Sequence, residues 1–170
     1  MEIFFDTEFT TADKNVGFPA LISVGCAAQG GGTFYAELSD TWHTGLCSPF
    51  VIETVLPLLD GGEYAMTEAQ LAINLKEWIE GLTEREVTLR TDAPRYDWPW
   101  IEQLFTFYGC WPKNLRKSCG TVYFNHEYQE KRYMVHLDAY WKEHAAQRHH
   151  ALVDAKSLLY AWQLAMKKGM

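Results

Sequence analysis

The sequence has 170 residues, enough to bury the core of one domain, and we expect residues 1–170 to form a single domain. A hydrophobic content of 48% with 15% aromatic residues excludes a disordered chain. No apolar run is long enough to span a membrane and no signal peptide is visible, so the expected location is the cytoplasm. The four cysteines form no Cys-x-x-Cys pair, which argues against a zinc site and against a disulfide framework.

The net charge of −7 is unevenly distributed along the chain. Residues 1–80 carry 12 acidic and 2 basic side chains, whereas residues 81–170 carry 10 acidic and 13 basic ones. This asymmetry suits a metal site beside a surface that meets an anionic substrate. An uneven scatter of surface charge explains it equally well.

Three strands are predicted at the start of the chain, over residues 2–6, 20–28 and 33–38, and their short connections favour an antiparallel meander. Two helices are predicted next. Ser48-Pro49 supplies a cap and a first-turn proline for a helix that ends near Pro57. The capping box Thr67-x-x-Gln70 begins a second helix, which ends at Gly81.

The second half of the chain alternates strands and helices. A strand is predicted over residues 86–91 and a helix from Asp97 to Gly109, followed by a fifth strand over residues 119–124. The longest helix covers about residues 150–168. The order β-β-β-α-α-β-α-β-α predicts an α/β fold in which helices flank a mixed sheet.

Two carboxylates stand close together on the first strand. Side chains two positions apart on a strand point to the same face, so Asp6 and Glu8 lie side by side. They repel each other unless a cation lies between them, and a divalent ion is the usual solution. An Asp-x-Glu triplet alone is weak evidence for a metal site, so its interpretation depends on finding further ligands in the sequence.

Three more residues could complete the site. Asp97 lies where a strand passes into a helix, a position where an aspartate is also a common helix cap. Asp92 is a rival for the same role, but it reads more simply as a loop residue. Asp154 lies one turn into the last helix, and His149 lies five positions before it.

In combination these motifs resemble the DEDDh family of 3′→5′ exonucleases, which includes ribonuclease T, oligoribonuclease and short single-domain bacterial and phage exoribonucleases. Phe5-Asp6-Thr7-Glu8-Phe9 matches the first motif, Tyr96-Asp97 the second, and His149 with Asp154 the third. The sister DEDDy group would place a tyrosine where this chain has His150. The resemblance implies a ribonuclease H-like fold with a mixed five-stranded sheet, in which three antiparallel strands precede the parallel ones.

The resemblance also implies a mechanism. Two Mg²⁺ or Mn²⁺ ions would be held by Asp6, Glu8, Asp97 and Asp154, with Asp6 bridging them, and His149 would be the general base. The substrate would be the 3′ end of a single-stranded nucleic acid, with RNA favoured, and relatives are commonly homodimers. The expected contacts to the terminal nucleotide are Thr7, Phe9 and Thr10, although Phe9 could equally be a core residue.

One local departure concerns the second motif. Many relatives carry a His-Asn pair shortly before its aspartate, whereas this chain has Thr91-Asp92. Three alternatives stay open: an exodeoxyribonuclease for single-stranded DNA, an endonuclease of the ribonuclease H type, and a catalytically silent nucleic-acid-binding module.

Overall fold

A computed structural model describes residues 1–12 and 18–167 of the chain. Its centre is a six-stranded sheet in the order β4-β3-β2-β1-β5-β6. The strands are β1 (Glu2–Phe9), β2 (Leu21–Ala28), β3 (Thr33–Leu38), β4 (Ala65–Met66), β5 (Thr88–Thr91) and β6 (Gly120–Thr121). β2 runs antiparallel to both β1 and β3, and the other pairs are parallel. The predicted α/β class and mixed sheet are therefore confirmed.

The sheet has one strand more than the five predicted. The additional strand, β4, has only two residues, too few to show the alternation by which strands are recognised in a sequence. β1 extends to Phe9, beyond the predicted end at residue 6, because residues 7–9 continue to pair with β2. Both Asp6 and Glu8 therefore lie on a regular strand.

Four α-helices are described: α1 (Glu68–Leu82), α2 (Pro94–Phe107), α3 (Glu127–His144) and α4 (Ala151–Met166). The capping box before α1 is confirmed, with the Thr67 and Gln70 side chains each bonded to the other's backbone N–H. No described helix is long and apolar enough to cross a membrane.

The helix predicted after Ser48-Pro49 has a different form. The Ser48 hydroxyl accepts a hydrogen bond from the Val51 N–H at 3.3 Å, as expected of a cap. The chain then forms a π-helical turn, Val51–Val55, and a 3₁₀ turn, Leu56–Leu58, in place of a regular α-helix. Pro57 lies inside the last turn and has no N–H to donate, which prevents a regular continuation.

The two faces of the sheet carry separate cores. Side chains that alternate along β1 point to opposite faces, so Ile3 and Phe5 pack against α1 and α2, whereas Phe4 packs against α3 and α4. Asp6 and Glu8 have the same parity as Phe4 and therefore lie on the α4 side. Thr7 has the opposite parity and faces α2.

A glycine lets α4 approach the sheet closely. Gly25 on β2 pairs with Asp6, and a Cβ atom added to Gly25 would lie 2.2 Å from the backbone nitrogen of Leu152. No side chain fits in that space, so the first turn of α4 rests directly on the strand backbone. This contact brings Asp154, in the first turn of α4, next to β1.

Candidate active site

Asp6 and Glu8 are held on β1 beneath the start of α4. Asp6 lies opposite Gly25 and Glu8 opposite Ser23, and the register of the two strands shifts just after Glu8. The side chain of Glu8 is only 13% exposed. The strand therefore presents two partly buried carboxylates at the sheet end where α4 begins.

Asp97 is a buried side chain inside α2 rather than the helix cap considered above. The helix begins at Pro94, three residues earlier than predicted, with Ala93 at its N-cap. Asp97 is 2% exposed, and its two oxygens accept hydrogen bonds from the hydroxyls of Thr7, at 2.7 Å, and Thr91. These two bonds fix the orientation of its carboxylate against β1.

His149 and Asp154 are joined at the start of α4. The backbone N–H of His149 donates a hydrogen bond to Oδ2 of Asp154 at 3.0 Å. His149 has φ of 75°, in the left-handed region that side chains other than glycine seldom adopt. Its Nδ1 lies 3.9 Å from Oε1 of Glu8, and the edge of its ring meets Phe50. The carboxylate of Asp154 thus holds the backbone of His149, whose imidazole lies beside Glu8.

All five motif residues line one cavity of about 400 Å³: Asp6, Glu8, Asp97, His149 and Asp154. Ligand atoms of Glu8, His149 and Asp154 lie within 4.8 Å of one another. The same is true of a second group, Asp6, Asp92 and Asp97. Arg148 is the only Lys or Arg among the described lining residues, which include Trp141, Leu137 and Tyr96. The cavity therefore holds two adjacent clusters of acidic ligands.

Burial raises the pKa of all four of these motif carboxyls. Desolvation is the largest cause in every case, and it lifts the pKa of Asp97 to about 6, that of Asp154 to about 7 and that of Glu8 to about 9. The pKa of Asp6 also lies well above its usual range, through burial and then through repulsion by Asp97 and Glu8. Deprotonating the whole set is unfavourable unless positive charge enters.

Burial, and then the positive charge of Arg148, lower the pKa of His149. An imidazole whose pKa lies below 6.5 is mostly neutral at pH 7 and can accept a proton.

Orphaned oxygens show that these residues fit divalent cations. Asp6 Oδ2 and Asp154 Oδ1 are inaccessible to water and have no hydrogen-bond partner within the described parts of the chain. A buried carboxylate oxygen without a partner is strongly unfavourable. Carboxylate oxygens are suitable ligands for hard divalent cations, and cations bound in the two clusters would satisfy these two oxygens.

Asp92, which the sequence offered only as a rival of Asp97, also lies at the site. We interpreted it as a loop residue, and it is indeed exposed just after β5. Its carboxylate nevertheless lies within 4.8 Å of ligand atoms on Asp6 and Asp97. The available signal was its position, one residue past a strand that runs parallel to β1.

The three expected nucleotide contacts differ in their placement. Thr7 reaches the cavity, but its hydroxyl is bonded to Asp97. Phe9 is partly exposed, lies 5.8 Å from the ring of Trp100, and lines both the acidic cavity and a neighbouring one of about 620 Å³. Thr10 is fully buried, and its hydroxyl accepts a hydrogen bond from the Ala20 N–H at 3.0 Å. Thr10 therefore has no surface for a nucleotide, since the bend after Glu8 turns it inward.

The neighbouring cavity carries aromatic and basic side chains. It shares Phe9 and Tyr96 with the acidic cavity, and its wall continues through Trp100 and Arg95. Tyr96 is 58% exposed, although it lies directly beside the buried Asp97. Exposed aromatic rings next to a cation are the features that hold single-stranded nucleic acid.

His150, the N-cap residue of α4, is tied to β3 on the same face of the sheet. Its ring stacks on Tyr35 at 4.4 Å, and its Nε2 lies 3.2 Å from Oδ2 of Asp60. The Tyr35 hydroxyl donates in turn to buried Glu37, whose oxygens also accept two backbone N–H groups. This network anchors the residue that follows His149 in the chain.

Comparison with solved structures identifies the fold. A structure of exonuclease I superimposes with a TM-score of 0.55 at 10% sequence identity, covering 93% of this chain and 39% of that one. A zinc-bound form of the E. coli exonuclease I–single-stranded DNA complex gives a TM-score of 0.53 at 11% identity, covering 96% of this chain and 39% of that one. The fold is thus a ribonuclease H-like exonuclease fold, and the chain spans about two fifths of the length of exonuclease I.

No protein-family model matches the chain, and no curated protein sequence matches it either.

Proposed function

We propose that residues 1–170 form one exonuclease domain that removes nucleoside monophosphates from the 3′ end of single-stranded nucleic acid with the help of two divalent metal ions. One observation carries the proposal. Four carboxylates and one histidine, contributed by β1, α2 and the start of α4, line a single cavity, and the histidine backbone is bonded to one of the carboxylates. A module that only bound nucleic acid would have no need of all five.

The two acidic clusters suggest a division of labour. Asp6 and Asp97 would hold one ion beside the leaving oxygen, and Glu8 and Asp154 would hold the other beside the attacking water, with Asp6 shared between them. When bound, the ions would neutralise the carboxylates, activate water and stabilise charge on the scissile phosphate. Thr7 and Thr91 would act indirectly, because their hydroxyls orient Asp97.

His149 would take the proton of the attacking water. Its ring is mostly neutral near pH 7 because burial and Arg148 lower its pKa, and it is only partly covered, with 35% of the side chain exposed. In the reaction water adds to phosphorus, its proton passes to the imidazole, and the 3′ oxygen of the next nucleotide leaves and is protonated from solvent. The product is a nucleoside 5′-monophosphate.

The neighbouring aromatic cavity supports a single-stranded substrate. Phe9 and Tyr96 border both cavities, so a strand whose terminal phosphodiester lies at the carboxylates could stack its bases on Tyr96 and Trp100. Arg95 would meet the backbone phosphates. Stacking accepts any base, so we expect weak sequence preference.

RNA is our first candidate substrate, because the motifs resemble those of exoribonucleases. Single-stranded DNA is the second, because the exonuclease I of similar fold has been solved in complex with it.

The test uses 5′-labelled single-stranded RNA and DNA of equal sequence, incubated with Mg²⁺, Mn²⁺ or EDTA. We expect a ladder that shortens from the 3′ end and that EDTA abolishes. Asp154→Asn is the inactive control, and Glu84→Gln, which removes an exposed carboxylate on the turn after α1, is the active one. Internal cuts would indicate an endonuclease, and binding without cleavage would refute an enzymatic role.

A further inference from the structure

Asp92 is an exposed residue whose carboxylate nevertheless lies beside two partly or fully buried ones. One oxygen from each of Asp6, Asp92 and Asp97 lies within 4.8 Å of the other two. Although the residue as a whole is exposed, burial of its carboxyl raises the pKa of Asp92 while the positive charge of Arg148 lowers it, and Asp92 forms no salt bridge with a described residue. Like charges at this separation repel, so all three carboxylates can be ionised together favourably only when a cation is shared among them.

The backbone holds Asp92 in this place. The Thr91 hydroxyl accepts a hydrogen bond from the Ala93 N–H at 3.1 Å and donates one to Asp97. Asp92 lies between the two residues of that turn. The turn that orients the carboxylate of Asp97 therefore also fixes the position of Asp92 at the mouth of the cavity.

The other two carboxylates leave ligand positions for an ion. Each oxygen of Asp97 already accepts a hydrogen bond from a threonine hydroxyl, which leaves fewer lone pairs to bind a metal ion. Oδ2 of Asp6 is inaccessible and has no partner within residues 1–12 and 18–167. A cation on this side of the cavity could therefore bind the free buried oxygen of Asp6 and the oriented carboxylate of Asp97, and Asp92 could bind it from the solvent side.

We propose that Asp92 is a direct ligand of the divalent ion held by Asp6 and Asp97. The active site as a whole then carries five carboxylates, Asp92 and the four of the motifs, in place of four. The inference rests on the metal site of the proposed function. Five carboxylates around two divalent ions leave a net charge of −1, so the site would fill at lower metal concentration. Arg148, which also lines the cavity, would offset the remaining charge when a phosphate enters.

The experiment measures Mn²⁺ binding to the substrate-free protein by calorimetry and by electron paramagnetic resonance. The variants are Asp92→Asn, Asp92→Ala and the distant control Glu84→Gln, each with its fold checked by circular dichroism. Because Asp92 is exposed, we expect the variants to fold. The wild type and the control should bind two ions, and both Asp92 variants should bind one of the two about 10–100-fold more weakly.

Salt distinguishes ligation from a general loss of negative charge. At 0.5 M NaCl exposed charges more than about 5 Å apart are largely screened. A lost ligand should still weaken binding at least about tenfold at that salt concentration, whereas a remote charge effect would vanish. Two ions bound by the Asp92 variants with wild-type affinity would overturn the inference and leave the proposed function intact. If the wild type itself bound no Mn²⁺, both would fail.

Discussion

Replacing Glu8 by glutamine keeps the shape of the side chain and removes its charge, which should stabilise the metal-free protein while abolishing activity. Glu8 is 13% exposed, and burial followed by the charges of Asp154 and Asp97 raises its pKa from 4.5 to about 9. At pH 7 the unfolded chain has lost this proton and the folded protein retains it. The native environment thus opposes ionisation by about 1.4 kcal/mol for each pH unit above 4.5, which gives about 3 kcal/mol as an upper limit.

Glutamine removes that penalty. Rearrangement of the cavity and entry of water reduce the gain, so we expect a free energy of unfolding higher by about 1–3 kcal/mol in EDTA at pH 7. For a chain of this size the melting temperature should rise by about 2–12 °C. Thermal melting in EDTA provides the measurement, with Glu84→Gln as a control that should not change. With saturating Mn²⁺ the order should reverse, because the variant lacks a ligand. A Glu8→Gln melting temperature at or below that of the wild type in EDTA would refute the reasoning.

Three further outcomes are expected. His149→Ala should lower kcat by about 10²–10⁴-fold and leave Mn²⁺ binding unchanged; turnover within about threefold of wild type would exclude a general base. Without metal, stability should fall by about 1–3 kcal/mol between pH 6.5 and 8.5, because the raised pKa values of Asp154 and Glu8 make the folded state bind more protons than the unfolded one; a flat or rising denaturation midpoint would contradict this. Trp100→Ala should raise KM for single strands about 5–20-fold without changing Mn²⁺ affinity, since a stacking surface is lost; an unchanged KM would remove this cavity from the substrate path.

The sequence predicted those helices and strands in which the spacing of the apolar residues matches the buried face of the element. β1 is apolar up to Asp6, and α4 carries a continuous buried stripe, so both elements and their polar residues could be placed. The capping box of α1 was equally readable. β1 and α4 supply three of the five motif residues, Asp6, Glu8 and Asp154, and His149 lies two residues before α4.

The parts that the sequence missed depend on tertiary contacts. α3 buries only Tyr133 among its residues and packs on α4 with a mainly polar sequence, so it shows little apolar periodicity. α2 begins at Pro94, and the side chain of Asp97 in its first turn is oriented partly by Thr7, which lies 90 residues away in the chain. Asp92 was considered as a rival of Asp97, but that its carboxylate lies beside both Asp6 and Asp97 follows only from the placement of β5 beside β1. No local pattern carries that information.

The central claim is that two divalent ions lie among the carboxylates of Asp6, Glu8, Asp97 and Asp154. Anomalous diffraction from crystals soaked in Mn²⁺ tests it most directly. The account predicts two peaks in this cavity, one touching Glu8 and Asp154, the other touching Asp97, with an Asp6 oxygen reaching both. A cavity without a peak at saturating Mn²⁺, or with its only ions bound elsewhere on the surface, would contradict it.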